Sequence, residues 1–285
     1  MHKSFKVDKN HLDLFMNRNP SIFDEFSGDS LSYLKKVDEK NLNEIIYQAA
    51  NGKINGDEII KAYFPSMSPH IFISHSSRDK STAIKFANYL FYTYGITSFI
   101  DSQIWGHIEH ALKILNGKYS KLRTEDDGSI TYSHKKANII SSNIYAMLTI
   151  ALINTMDNSD SLIFLSSENS VGGDSYDIED ILNEKYKTES PWIYSEINFS
   201  RMLRPKMHER PSLMAYDGSE GFVAHEKRGQ ISLEEHASFS FSTEMDHMIK
   251  VSFDSLSSIK NIHRKNHSLL NLDDIYHVLE AKTLF

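Results

Sequence analysis

Apolar residues along this chain follow two rhythms. Over the first 66 residues they recur at helical spacing. Leu12, Phe15 and Met16 share one face, and Ile22, Phe23 and Phe26 form a short stripe after Asn19-Pro20-Ser21. That triplet starts helices, because proline is tolerated in a first turn. Leu31, Leu34 and Val37 continue the pattern, and Leu42, Ile45, Ile46 and Ala49 line one side of a helix that Asn51-Gly52 ends. Asn55-Gly56-Asp57 begins a further helix through Ile59, Ile60 and Tyr63, and Pro65 and Pro69 bracket a linker. Residues 1–66 are therefore predicted to be a separate helical unit for packing or oligomerisation. Ligand sensing is the other reading of this unit, and no motif in it carries chemistry.

Beyond the linker the rhythm changes. His70–Ser74 reads as a buried strand by its Ile-Phe-Ile run. Ser81 is expected to cap a helix in which Ala83, Phe86, Ala87, Leu90 and Phe91 point inward and which Gly95 ends. Thr97–Ile100 reads as the second strand. Strand, helix and strand in that order make a right-handed βαβ unit and imply a parallel sheet.

The stretch from Trp105 to Ser133 reads as an insertion. A helix over Ile108–Leu115 leads into a polar turn, Arg123–Ser129, and then strand-like Ile130–Tyr132. Ala137–Met156 is an amphipathic helix, and Leu162–Leu165 is the central strand. A polar loop, Ser166–Asp174, follows, whose Gly172-Gly173 pair is expected to allow motion. Trp192–Leu203 is a helix, Ser212–Tyr216 a last strand, Met248–Phe253 strand-like and Leu272–Ala281 a final helix. The predicted fold over residues 69–285 is a flavodoxin-like α/β sandwich, with about five parallel strands and helices on both faces.

Composition narrows the function classes. The chain has 285 residues and a formal charge of −7, with no dense Lys/Arg run, which argues against non-specific nucleic-acid binding. Cysteine is absent, so disulfides, thiolate nucleophiles and Cys-based zinc sites are excluded. No start-of-chain apolar segment resembles a secretory signal. The longest apolar candidate, Ile144–Met156, falls short of the roughly 18–20 residues of a membrane helix. A cytoplasmic protein with no membrane partner is expected. The 14 histidines include the couples His107/His110 and His263/His267, but no third ligand clusters with either and no His-Glu-x-x-His occurs, so no metal is expected. The absence of Gly-x-Ser-x-Gly disfavours a Ser-His-Asp hydrolase.

The chemistry-bearing residues gather at predicted strand ends. The run Ser74-His75-Ser76-Ser77-Arg78-Asp79-Lys80 sets hydroxyls, two cations and backbone N–H groups at a helix N-terminus, an arrangement suited to a pyrophosphate. A plain surface turn with a helix cap is the simpler alternative. Ser74 and Arg78 are the preferred ligands, with His75 beside them. Asp101 closes the second strand and opens a loop ending near Gly106, either as a substrate ligand or as a structural residue. In Ser190-Pro191-Trp192-Ile193-Tyr194-Ser195-Glu196, Trp192 and Glu196 lie four apart on one face of a helix. A stacking ring and a carboxylate then face one cavity; a core Trp and a solvated Glu are the counterpart reading.

Three of these pieces together resemble the bacterial form of the TIR (Toll/interleukin-1 receptor) domain, over roughly residues 69 to 217. They are the Phe72-Ile73-Ser74 strand with Asp79-Lys80 after it, the strand Phe99-Ile100-Asp101, and the Ser190-x-Trp192-x-x-x-Glu196 helix. Many bacterial TIR domains cleave NAD at the nicotinamide-ribosyl bond, and the Glu of that motif is their essential carboxylate. The resemblance thus implies Glu196 as the catalytic residue, Trp192, Ser74, His75, Arg78 and Asp101 as substrate contacts, and NAD as substrate with no cofactor. It implies nicotinamide release with ADP-ribose or a cyclic isomer, in anti-phage defence such as Thoeris systems. Self-association and a downstream nucleotide-sensing effector are the implied partners. Gln103-Ile104-Trp105 stands where many relatives carry a Pro-containing loop, a departure that bears on that loop's shape. The competing classes are a non-enzymatic TIR scaffold and a deoxyribosyltransferase-like enzyme with a Glu nucleophile.

Overall fold

In the computed structural model, which describes residues 3–23, 55–63, 69–172, 185–203 and 240–281, the chain opens with a strand. β1 (Lys3–Asp8) leads into α1 (Lys9–Arg18), where Asp8 accepts from the Asn10 and His11 amides, and then into the short α2 (Pro20–Phe23). α3 (Gly56–Tyr63), β2 (Ile71–Ser74), a 3-10 turn (Ser77–Asp79), α4 (Lys80–Tyr94) and β3 (Ser98–Ile100) follow. Next come α5 (Ser102–Tyr119), β4 (Lys121–Thr124), β5 (Ile130–Tyr132), α6 (His134–Asn158) and β6 (Ser161–Ser166). The last part holds β7 (Lys185–Thr188), α7 (Pro191–Met202), β8 (Phe241–Glu244), β9 (Ile249–Val251), α8 (Phe253–Ser258) and α9 (Ser268–Glu280).

Five strands form one all-parallel sheet in the order β3-β2-β6-β1-β9, the α/β layout expected of a flavodoxin-like fold. The first strand departs from the sequence expectation. β1 sits inside the sheet, with Phe5 level with Ile163 on one side and Ile249 on the other. Residues 1–66 are therefore not a separate helical unit. The helical spacing of Leu12, Phe15 and Met16 is real, and all three are buried on α1. It is preceded by Ser4-Phe5-Lys6-Val7, whose alternating polar residues disguise a central strand. Lys6 tolerates that position because its ammonium lies over the Tyr186 ring at 3.7 Å while its stem stays in the sheet. The helices expected over residues 24–54 and the strand expected at Ser212–Tyr216 lie outside the described residues.

The chain divides into two compact units, residues 1–34, 68–100 and 156–285 against residues 35–67 and 101–155, rather than near residue 66. In the first, one sheet face presents Phe5, Val7, Ile71, Ile73, Ile163 and Leu165 to α1, α2, α4, α8 and α9. Phe15, Phe23 and Tyr89 lock that layer ring to ring, Phe23 to Tyr89 at 4.6 Å. Fully burying one such side chain contributes about 1.5–3 kcal/mol. Gly95 ends α4 at φ 69°, a left-handed turn that a Cβ would disfavour, as its position in the sequence predicts. Ser81 lies inside this helix; Asp79 is the N-terminal cap residue and its side chain is used elsewhere. The opposite face carries Phe72, stacked on Phe99 at 5.2 Å, and Ser74, and meets α7 there.

The second unit contains α3, α5, the antiparallel hairpin β4-β5 and α6 up to Thr155. The hairpin realises the predicted insertion, with Gly128 at φ 84° in its turn, although Arg123 and Thr124 belong to β4 and not to the turn. The loop expected after Asp101 is replaced by helix. α5 begins at Ser102, whose amide Asp101 caps at 2.7 Å, and buries Ile108, Ala111 and Leu115. α6 runs 25 residues, longer than the predicted Ala137–Met156. Among the described residues it alone is long and apolar enough to cross a membrane by length and composition, a test that core helices also meet.

Candidate functional site

The order of strands sets where a ligand can sit. From β2 the chain passes through α4, on the face of the large apolar layer, to β3. From β6 it passes through α7, on the opposite face, to β9. The two connections diverge at the carboxyl ends of β2 and β6. In open parallel sheets that divergence leaves the crevice where ligands bind.

α7 forms because Ser190 caps it, accepting from the Ile193 amide at 3.3 Å, and because Pro191 fits the first turn. Its inward stripe is Ile193, Glu196, Ile197 and Ser200, spaced i, i+3, i+4, i+7. A carboxylate thus occupies the middle of a core-facing stripe, with no exposed surface. Burying such a group costs free energy unless it is hydrogen-bonded. Here the Ser74 hydroxyl, from the last residue of β2, donates to Glu196 Oε2. A residue that breaks the hydrophobic pattern in a strand-end crevice is the kind of local inconsistency that marks functional sites.

The loop after β6 is bound to the loop after β2 through Asp79. Its buried carboxylate accepts from the Ser167 hydroxyl and from Asn169 Nδ2 at 3.0 Å. The loop is also closed on itself, with Ser170 Oγ donating to Leu165 O at 3.1 Å and the Val171 amide to Ser167 O at 3.0 Å. Gly172 has a steric role in this loop. A Cβ at that position would lie 2.5 Å from Glu168 O, so the loop needs the bare backbone. Gly172→Ala is accordingly expected to lower stability by about 1–3 kcal/mol through overpacking, read as a drop in thermal unfolding temperature against wild type. Gly173 lies outside the described residues.

The structure brings two of the sequence-predicted residues into direct contact and places the others on their own elements. Ser74 and Glu196 are in direct contact, and His75 is buried beside them with Nδ1 3.4 Å from Ile73 O. Ser74 is committed to the carboxylate rather than offered to a phosphate. Arg78 is exposed on the 3-10 turn, where Ser76 Oγ caps its amide at 3.4 Å. Trp192 is partly buried one turn before Glu196. Asp101 belongs to the second unit, where it caps α5. Asp79, Ser167 and Asn169 were not singled out as ligands by sequence. The signal for Asp79 was an acidic residue at a helix start, which reads as a cap.

One further contact anchors α7. Ser200, one turn beyond Glu196, meets His247 Nε2 at 2.7 Å and donates its own proton to Ile197 O at 2.7 Å. A hydroxyl has one proton to give, so His247 donates through Nε2. That polarity is the reverse of a hydrolase dyad, in which the imidazole must accept from the serine. Burial, followed by the Arg201 charge, pushes the His247 imidazole below its ordinary value of 6.5, against a smaller opposing effect of Asp246. Among the described residues no group of three or more His, Cys, Asp or Glu is placed to hold a metal. No family model, curated protein or solved structure matches this chain.

Proposed function

We propose that the first unit is a TIR-like enzyme that cleaves the nicotinamide-ribosyl bond of NAD, with Glu196 as the reacting carboxylate. The observation that carries this reading is the placement of Glu196. A carboxylate stands in the apolar stripe of α7, hydrogen-bonded to Ser74 at the carboxyl end of a central parallel strand. In the reaction the C–N bond breaks with its electron pair leaving on nicotinamide, and positive charge develops on the ribose. A carboxylate beside the sugar stabilises that oxocarbenium-like state more than the ground state, which is the condition for catalysis. Trp192, on the same helix one turn earlier, offers a face for a ring, and the turn holding His75 and Arg78 offers hydrogen-bond donors and a cation for the pyrophosphate. Attack by water gives ADP-ribose; attack by a group of the same molecule gives a cyclic isomer. Anti-phage defence in the cytoplasm, self-association and a nucleotide-sensing effector belong to this reading through the same resemblance.

One observation favours the competing scaffold reading: Glu196 exposes no surface in this conformation. Catalysis therefore requires a conformation in which the carboxylate becomes reachable. Incubating the protein with NAD and separating the products by chromatography tests the proposal. Stoichiometric nicotinamide with ADP-ribose or a cyclic isomer is expected. NAD left intact, with TIR-dependent partner capture retained, supports the scaffold, and base exchange on free deoxynucleosides supports the deoxyribosyltransferase-like class.

A further inference from the structure

α7 is held by β8 and by the turn that joins β8 to β9. Tyr194 stacks on Phe241 at 4.9 Å and 25°. Arg201 pairs with Glu244 at 2.9 Å and with Asp246. Between these contacts Ser200 takes the Nε2 hydrogen bond of His247. The two outer contacts are of ordinary surface type, and exposed ion pairs contribute little. The His247–Ser200 bond differs, because Ser200 is buried and sits four residues after Glu196 on the same inward stripe. A shift of Ser200 along the helix axis moves Glu196 by a similar amount, since a helix turn is stiff.

We propose that His247 is a positioning residue for Glu196, acting through Ser200 and the inner stripe of α7. The inference rests on the reading of Glu196 as the reacting carboxylate, but its geometry can be tested apart from turnover. His247 serves while it is neutral and donates through Nε2. A second proton would go to Nδ1, a buried nitrogen whose nearest acidic atom among the described residues, Asp246 Oδ1, is 3.9 Å away, outside hydrogen-bond reach. Among the described residues, the charged groups around the ring are Arg201 on α7, Asp246 next to it in the chain, and Glu244 on β8 through its pair with Arg201. A cationic ring still donates through Nε2, but its burial and the Arg201 charge oppose it there, so protonation favours release of the ring from its buried place and with it of the anchor.

The sign follows from the lowered value. The unfolded chain takes up the His247 proton at a higher pH than the folded one, so the anchor's contribution is fully present above 6.5 and is lost as pH falls from there through the folded value.

The test uses His247→Ala, His247→Gln, Ser200→Ala and the double variant His247→Ala/Ser200→Ala. Two readouts are taken: nicotinamide release from NAD, and hydrogen exchange of the α7 amides. Gln places an amide donor near the Nε2 position and does not titrate. His247→Ala is expected to lower kcat by about ten- to a hundred-fold, as misplacement of a reacting group does, with KM little changed. Gln is expected to restore most of it and to remove the acid limb of the kcat profile below 6.5. The double variant should be no worse than Ser200→Ala, because both act through one contact. In exchange, His247→Ala and Ser200→Ala should quicken the α7 amides while those of β2 and β6 stay protected. Wild-type kcat and wild-type exchange in His247→Ala overturn the inference, as do equal defects in the Ala and Gln variants. If the wild-type protein releases no nicotinamide, the reading of Glu196 fails, and exchange alone still decides whether His247 anchors α7. If His247→Ala does not fold, the Gln variant decides through its pH profile and exchange.

Discussion

A chain lacking residues 1–8 is expected to lose the cooperative unfolding transition of its first unit. β1 is an interior strand with parallel partners on both sides, so its removal exposes the edges of both β6 and β9 and splits the sheet. Phe5, wholly buried, stacks on Tyr276 at 5.5 Å and faces the main apolar layer. Phe5→Ala alone is expected to cost about 3–5 kcal/mol, against a total stability of roughly 5–15 kcal/mol for a domain. The check is a thermal melt followed by circular dichroism on both variants. A melt within a few degrees of wild type for the truncated chain contradicts the topology. A separate helical unit over residues 1–66 would instead leave the α/β domain folded on its removal.

Glu196→Gln is expected to abolish nicotinamide release while leaving the fold intact. The amide keeps the shape of the side chain and can still accept from the Ser74 hydroxyl, so the contact between α7 and β2 persists. The substitution removes the negative charge that would face the developing ribose cation. A rate loss of about a thousand-fold or more corresponds to about 4 kcal/mol of transition-state stabilisation. Glu196→Ala is the less informative variant, because it also opens a cavity within the stripe of Ile193 and Ile197. Ser74→Ala leaves a buried carboxylate with one hydrogen bond fewer and should lower both activity and stability.

What was legible in the sequence were the elements whose local signals agree with their environment. Ile71–Ile73 and Leu162–Leu165 are unbroken apolar runs because both faces of those strands are covered. The Gly95 stop and the Ser190-Pro191 start are local backbone chemistry and needed no tertiary information. β1 was illegible for the converse reason. Lys3 and Lys6 break the apolar run, and each is accommodated only by a distant partner, Glu280 with Tyr276 for Lys3 and Tyr186 for Lys6. The division into two units was hidden as well, because the second is assembled from stretches on either side of β2, α4 and β3.

In the site, Glu196 was legible from its spacing to Trp192, and its bond to Ser74 joins two of the motifs that carried the resemblance. The role of Asp79 was not. An Asp before a helix reads as a cap, and only the fold shows its carboxylate turned instead to Ser167 and Asn169. His247 gave no signal, since a lone histidine between two short strands has no pattern to violate.

The most direct measurement is the rate of nicotinamide release from NAD by the wild-type protein and by Glu196→Gln, side by side, with matching melts as the control for folding. The account predicts release by the wild type and, for the variant, a rate lower by about a thousand-fold or more at an unchanged melting temperature. Equal rates from the two proteins, or no release from wild type at any protein concentration, contradict it.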